Sequence, residues 1–302
     1  MTVRPTLRQL QYLCALAEKK SFRGAAEACL VSQSTLSAGI QQLETLLLVR
    51  LVDRESETFR LTRIGEEILE RGQGLLRDAD DLVALAQQQQ DPLSGEFRLG
   101  VIPSIGAFLL PRALPELRNM HRDLKLYLYE TLTRHLLDDV RAGRIDAAVI
   151  ALPYQIDGFG MQSLGADQFH VALPYHHPLA SKAAISALDL RSEPLILLDD
   201  GHCIRDHILT SLKRADLMPG EDRREQIVAT SLMTVVQMVA NGLGVTLLPE
   251  IALRTGLVDG LDIIVRPLDE RNKERELAMI WRRKSAMEDN ARLLSEHLAK
   301  FV

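Results

Sequence analysis

Nothing in this sequence is long and apolar enough to hold the chain in a membrane. Its longest apolar runs, such as LGVTLLP and LILL, fall far short of the roughly 20 residues that a spanning helix needs. The opening MTVRPTLRQL also lacks the apolar stretch of a secretory signal. No membrane partner is therefore expected, and the cytoplasm is the expected location. Cysteine is scarce: Cys14, Cys29 and Cys203 are too few and too scattered for a disulfide framework, and no CxxC or Cys/His ligand spacing occurs. Neither structural zinc nor any other cofactor is expected.

What is present suits a globular protein of more than one unit, with 302 residues, 46% hydrophobic and 25% charged. The net charge of −5 weighs against nucleic acid as a partner, but it is unevenly spread. Residues 1–65 hold nine Lys/Arg against six Asp/Glu, and the remainder 27 against 35. A mildly basic module on an acidic body is the pattern of an N-terminal nucleic-acid-binding domain.

LRQLQYLCALA has the spacing of a first helix, with Leu10, Leu13, Leu16 and Ala17 on one face. Ser21 then stands as an N-cap before the small-residue helix FRGAAEACL. A short turn leads into STLSAGIQQLETLLL, where Leu36, Ile40, Leu43 and Leu47 recur at three and four. The polar DRESETFRLTRIG reads as a two-stranded wing, and residues 66–90 as a long helix that pairs with a second chain. Asp91, Pro92, Ser94 and Gly95 mark a hinge. From Phe97 strands alternate with helices, the grammar of an α/β domain with a parallel sheet. That domain, 91–302, is expected to have one lobe of residues 97–165 and 271–302 and another of 166–270, joined by crossing strands.

In a helix-turn-helix the second helix reads base edges in the major groove from its N-terminal residues. Here that helix starts at Gln33, which offers a bidentate amide. Ser34 and Ser37 reach bases or phosphates, and Gln41 lies a turn further along the same side. SFRGAAEACLVSQSTLSAGIQQLE and DRESETFRLTRIGE resemble the winged helix-turn-helix of the LysR-type transcriptional regulators, through the Ser-Phe entry, paired alanines, VSQ turn, Leu-Ser pair and closing Leu-Thr-x-x-Gly. The resemblance implies that Arg54 and Thr62 touch the sugar-phosphate backbone. It departs at Ala38, where Arg is common, and at Leu48, which replaces a usual Gly.

The resemblance extends over the whole chain. It implies that the α/β half is a periplasmic-binding-protein-like effector domain, with ligands between its lobes at the carboxyl ends of strands, where helix N-termini offer free N–H groups. Ser104 and Thr133 follow strands in one lobe, and Thr230 and Ser231 do so in the other. For each of these hydroxyls capping a helix is the commoner use after a strand, and a cap at such a site can serve both roles. In LLDDGHCIRDHIL, Cys203 lies at the expected start of a helix between His202 and the pair Arg205 and Asp206, a setting that favours thiolate. Together with VIPSIGAFLLP, YLYETLTRHL and ATSLMTVVQMVANGLGVTLLP, this stretch resembles the peroxide-sensing OxyR branch of the family. The branch implies a peroxidatic Cys203, a peroxide pocket at Ser104 and Thr133, and His202, Arg205 and Asp206 tuning the thiol. Its resolving cysteine falls on Leu212, so no disulfide can close within the effector half.

Three functions compete. The leading expectation is an OxyR-like activator of the oxidative-stress response, triggered by hydrogen peroxide through oxidation of Cys203. The alternative is a LysR-type regulator whose inter-lobe cleft binds a small metabolite, anions among the candidates, without redox chemistry. The remote alternative, a Cys-dependent enzyme, leaves the N-terminal module unexplained. Expected partners are double-stranded promoter DNA, RNA polymerase, further copies of the chain in a dimer or tetramer, and either peroxide or a small-molecule effector.

Overall fold

Side-chain caps set the starts of the N-terminal helices in the computed structural model, which describes residues 4–53, 59–87, 93–213, 227–271 and 273–302. Thr6 caps α1 (Leu7–Lys19) and forms a capping box with Gln9, Ser21 caps α2 (Phe22–Ala28), and Ser32 caps α3 (Gln33–Leu47). The apolar stripes then meet in one core of Leu13, Leu16, Ala25, Leu36, Ile40 and Leu43. Gly39 is needed there because a Cβ would press into the Tyr12 ring. α3 ends on Leu48 in the left-handed region at φ 55°. A leucine there in place of glycine costs about 1 kcal/mol, and the wing forms regardless.

The wing pairs β1 (Val52–Asp53) with β2 (Arg60–Leu61) antiparallel. It is tied to α3 by the buried Glu44, whose Oε1 accepts from the N–H groups of Leu51 and Val52 at 2.8 and 3.2 Å. The Leu-Thr-x-x-Gly string has a local physical basis. Thr62 donates its hydroxyl to the Arg50 carbonyl at 2.7 Å and accepts from Gly65 N at 3.0 Å, capping α4 (Arg63–Gln87). Gly65 in turn packs so closely on the Leu51 carbonyl that no Cβ fits.

Met1–Gln89 is one compact unit and Gln90–Val302 another. In the second, β3 (Gly95–Val101), α5 (Pro103–Met120), β4 (Leu124–Glu130), α6 (Thr133–Arg141) and β5 (Ala147–Leu152) wind as parallel βαβ units. β5 reads AAVIAL and is buried almost throughout, as a strand covered on both faces must be. The long β6 (Phe159–Pro174) then leaves this half. It leads to β7 (Ile196–Leu198), α7 (Cys203–Ser211), β8 (Ile227–Ala229), α8 (Leu232–Ala240), β9 (Thr246–Pro249), α9 (Glu250–Leu253) and β10 (Ile263–Pro267). β11 (Glu274–Arg282) brings the chain back, and α10 (Glu288–Ala299) follows.

The sheet runs β10-β6-β11-β5-β3-β4, with β9 also on β6. It is mixed rather than parallel: β11 runs antiparallel to both β5 and β6, because the returning strand enters from the opposite direction. β7 and β8 form their own parallel pair. Two α/β halves joined by β6 and β11 fit the periplasmic-binding-protein-like arrangement.

Gly65→Ala should destabilise the N-terminal unit by about 1–3 kcal/mol through backbone overpacking, read as faster hydrogen exchange of the α1–α3 amides. Unchanged exchange would show that the Leu51 contact yields without strain.

Candidate functional site

On α3, Gln33, Ser34, Ala38 and Gln41 are exposed and Ser37 is half-buried, while Leu36, Gly39, Ile40 and Leu43 face the core. The polar positions recur at three and four, so one helix face stays free. Ser34 Oγ is within 2.8 Å of the capping Ser32 Oγ. The Thr62 hydroxyl is occupied by its carbonyl and cap bonds. Arg54 lies outside the described residues.

In the α/β unit, α5, α6 and α7 begin without side-chain caps, because Ile102, Leu132 and His202 occupy the cap positions. Ser104 and Thr133 are therefore not caps but lie inside the first turns of α5 and α6, and Cys203 opens α7. One buried guanidinium ties the first of these helix starts to β6. Arg275 Nη1 donates to Ser104 Oγ at 2.8 Å and Nη2 to the Ser104 carbonyl at 3.0 Å, while Nε donates to Asp167 Oδ2 at 3.0 Å. Arg275 and Asp167 are each 2% exposed and face one another across β11 and β6. The other Asp167 oxygen accepts from Ile251 N, at the start of α9, at 2.9 Å.

The Thr133 hydroxyl is 2% exposed and makes no well-formed hydrogen bond. It lies beside the Cys203 sulfur, and with the Arg275 charge it favours the thiolate. Burial outweighs both, however, and pushes the Cys203 thiol above its ordinary range. One turn further along α7, burial and the Arg275 charge hold His207 down to about 4, and its Nδ1 is buried without a partner.

Other expected site residues are placed differently. Arg205 turns into its own half, donating to the Leu198 carbonyl at 3.4 Å and pairing with Asp200 at 3.1 Å. Asp206 is exposed, with its carboxyl raised mainly by desolvation, and His202 is half-buried with its imidazole lowered by burial. Ser231 caps α8 through Thr234 N at 3.2 Å, and Thr230 is exposed at the end of β8. Sequence reasoning missed Arg275, Asp167 and His207. The available signals were a lone arginine entering the apolar run ELAMIW, and a histidine four residues after Cys203, one turn along the same helix face.

Residues 7–66 match the family described as bacterial regulatory helix-turn-helix protein, lysR family, and residues 90–302 match the LysR substrate binding domain. The chain belongs to the LysR family of transcriptional regulators. It is thus a DNA-binding regulator rather than an enzyme, and it is closely related to the OxyR branch. The HTH-type transcriptional regulator EstR of Acinetobacter baylyi is 35% identical, over 100% of this chain and 99% of that protein. The DNA-binding transcriptional dual regulator OxyR of Escherichia coli K12 is 34% identical, over 96% and 93%. A full-length OxyR variant of Pseudomonas aeruginosa superposes with a TM-score of 0.76 at 35% identity, covering 99% of this chain and 95% of that one. No helix among the described residues is long and apolar enough to cross a membrane.

The expectation of peroxide sensing through oxidation of Cys203 is overturned. Cys14, Cys29 and Cys203 are all free, and the resolving position holds the buried Leu212. Among the described residues no three His, Cys, Asp or Glu side chains are placed to hold a metal ion. Burial raises all three thiols, Cys14 to about 11, which lowers the thiolate fraction that such chemistry uses. The helix start and neighbouring cations do favour thiolate, but desolvation is the larger effect.

A raised pKa means that less thiolate is present at neutral pH, with ionisation deferred to alkaline solution. In the native protein at pH 7, Cys203 should therefore alkylate more slowly than an unfolded cysteine peptide, followed by peptide-resolved mass spectrometry. Equal rates would restore a reactive Cys203.

Proposed function

We propose that this LysR-type regulator binds promoter DNA as a homo-oligomer and is controlled by a small anionic metabolite held between the two halves of its effector domain, without redox chemistry. The observation that carries the reading is the set of uncapped starts of α5, α6 and α7, with Ser104, Thr133 and Cys203 buried in their first turns and the Arg275 guanidinium bonded to Ser104. Uncapped helix starts supply N–H donors and positive potential. Ser104 holds Arg275 in place and Thr133 contacts the ligand. His202, Asp206, Thr230 and Ser231 line the approach, while Arg205 supports the Asp200 turn. Names that mention peroxide belong to relatives, and EstR matches this chain equally well over its full length without one.

For DNA, the exposed face of α3 supports base contacts by Gln33, Ser34, Ser37 and Gln41, with phosphate contacts from Arg54 in the wing and from the Thr62 region. Ala38 removes a cation from this face, so affinity depends on pairing two modules on one site. Exposed Leu75, Leu82 and Val83 on α4 support chain pairing. So do Tyr127, Leu128 and Tyr129 on the edge strand β4. A tetramer uses both surfaces, and the DNA-bound assembly presents itself to RNA polymerase.

The test is binding of the full-length protein to a fragment it selects from genomic DNA, with small carboxylates, phosphate and sulfate added under reducing conditions. An active anion should shift DNA affinity in the wild type and in Cys203→Ser. Thr133→Val should weaken the anion about 10- to 100-fold, the loss of one charge-assisted hydrogen bond. A response that needs an oxidant and disappears in Cys203→Ser would refute the reading.

A further inference from the structure

A cation-rich patch interrupts the acidic effector half where α5 ends and β4 begins. Residues 118–125 read RNMHRDLK, three Lys/Arg against one Asp, whereas the chain after residue 65 holds 27 against 35. Arg118 in the last turn suits the negative end of α5, but that end carries only about half a charge, so the patch stays positive. Among the described residues, the Arg118 and His121 side chains make no hydrogen bond or ion pair, while nearby Glu116 is matched by Lys300 at 4.0 Å.

An apolar trough opens beside this patch. β4 is the last strand of its sheet, and between it and α5 lies a cavity of about 320 Å³. Leu114 and Leu117 of α5 and Leu124, Leu126 and Leu128 of β4 wall it, because the pleat turns every second residue of the strand toward the helix. Arg118 and His121 close one end. Past Leu114 and Leu128 a second hollow of about 280 Å³ continues to Glu130. The trough therefore runs from cations over leucines to a carboxylate, the make-up of a cleft for a small amphipathic molecule.

We propose that this trough is a second ligand site, which takes medium-chain and aromatic monocarboxylates: the carboxylate pairs with the Arg118 guanidinium and meets His121, and the apolar body covers the leucines. A guanidinium matches a carboxylate with two parallel N–H donors. Glu130 at the far end turns away a second carboxylate, so dicarboxylates are selected against. Arg118 stands about 20 Å along α5 from Ser104, and the site is independent of the anion held at the helix starts.

Calorimetric titration of the full-length protein with octanoate and benzoate, against octan-1-ol, acetate and the dicarboxylate suberate, tests this. Octanoate and benzoate should bind about tenfold more tightly than the other three. Arg118→Gln, a change at an exposed position, should weaken octanoate about tenfold, with part of the loss recovered in Arg118→Lys. A diazirine-bearing octanoate should label peptides of α5 and β4 on irradiation, as read by mass spectrometry. Labelling at Thr133 or Cys203 instead, or an octanoate affinity unchanged in Arg118→Gln, overturns the assignment and leaves the effector reading standing. Absence of binding overturns it as well, and dissociation of the oligomer by Leu128→Arg would then show a second copy in the trough.

Discussion

The effector half depends on one buried ion pair. Arg275 on the returning strand and Asp167 on the outgoing strand meet where the chain passes between its two α/β halves. Burying two charges costs several kcal/mol of desolvation, and the pair persists because hydrogen bonds answer most of its polar atoms. Arg275 reaches the first turn of α5 through Ser104, and Asp167 reaches the first turn of α9 through Ile251 N. A single side-chain pair thus fixes two strands and two helix starts. It also sets the electrostatics of the neighbours, favouring thiolate at Cys203 and disfavouring imidazolium at His207.

This arrangement makes the absence of redox control physically coherent. A thiol sensor needs a thiolate at neutral pH and a partner sulfur, or another route to a stable product. Here burial at Cys203 outweighs the favourable Arg275 charge, and the partner position holds Leu212. What survives from an OxyR-like scaffold is a set of helix starts, hydroxyls and a fixed positive centre. That set suits recognition of a small anion.

Much of the fold was legible in the sequence because local signals agreed with the tertiary answer. Ser21 is a cap, the stripe of Leu36, Ile40 and Leu43 is core, and the polar positions between them are the open face of α3. The mixed sheet was not legible, since ELAMIW reads alike in either strand direction. The site was half visible. Ser104, Thr133 and Cys203 follow strands and could be picked from that position, but Arg275 and Asp167 are 108 residues apart and acquire meaning only when β6 and β11 pair. Arg205 misled because proximity in sequence to Cys203 suggested a role that the geometry gives to Arg275. Thr62, expected at a phosphate from resemblance, has its hydroxyl engaged in starting α4.

The single tryptophan, Trp281, is fully buried in β11 and reports unfolding of the effector half directly. The decisive measurement is a double-mutant cycle in urea, followed by its fluorescence, on Arg275→Leu, Asp167→Leu and the double variant. If the pair organises this half, each single change strands a buried charge and costs about 3–5 kcal/mol, and the double change costs no more than the worse single one. Additive losses of about 1 kcal/mol each would place the two residues among ordinary contacts and contradict the account.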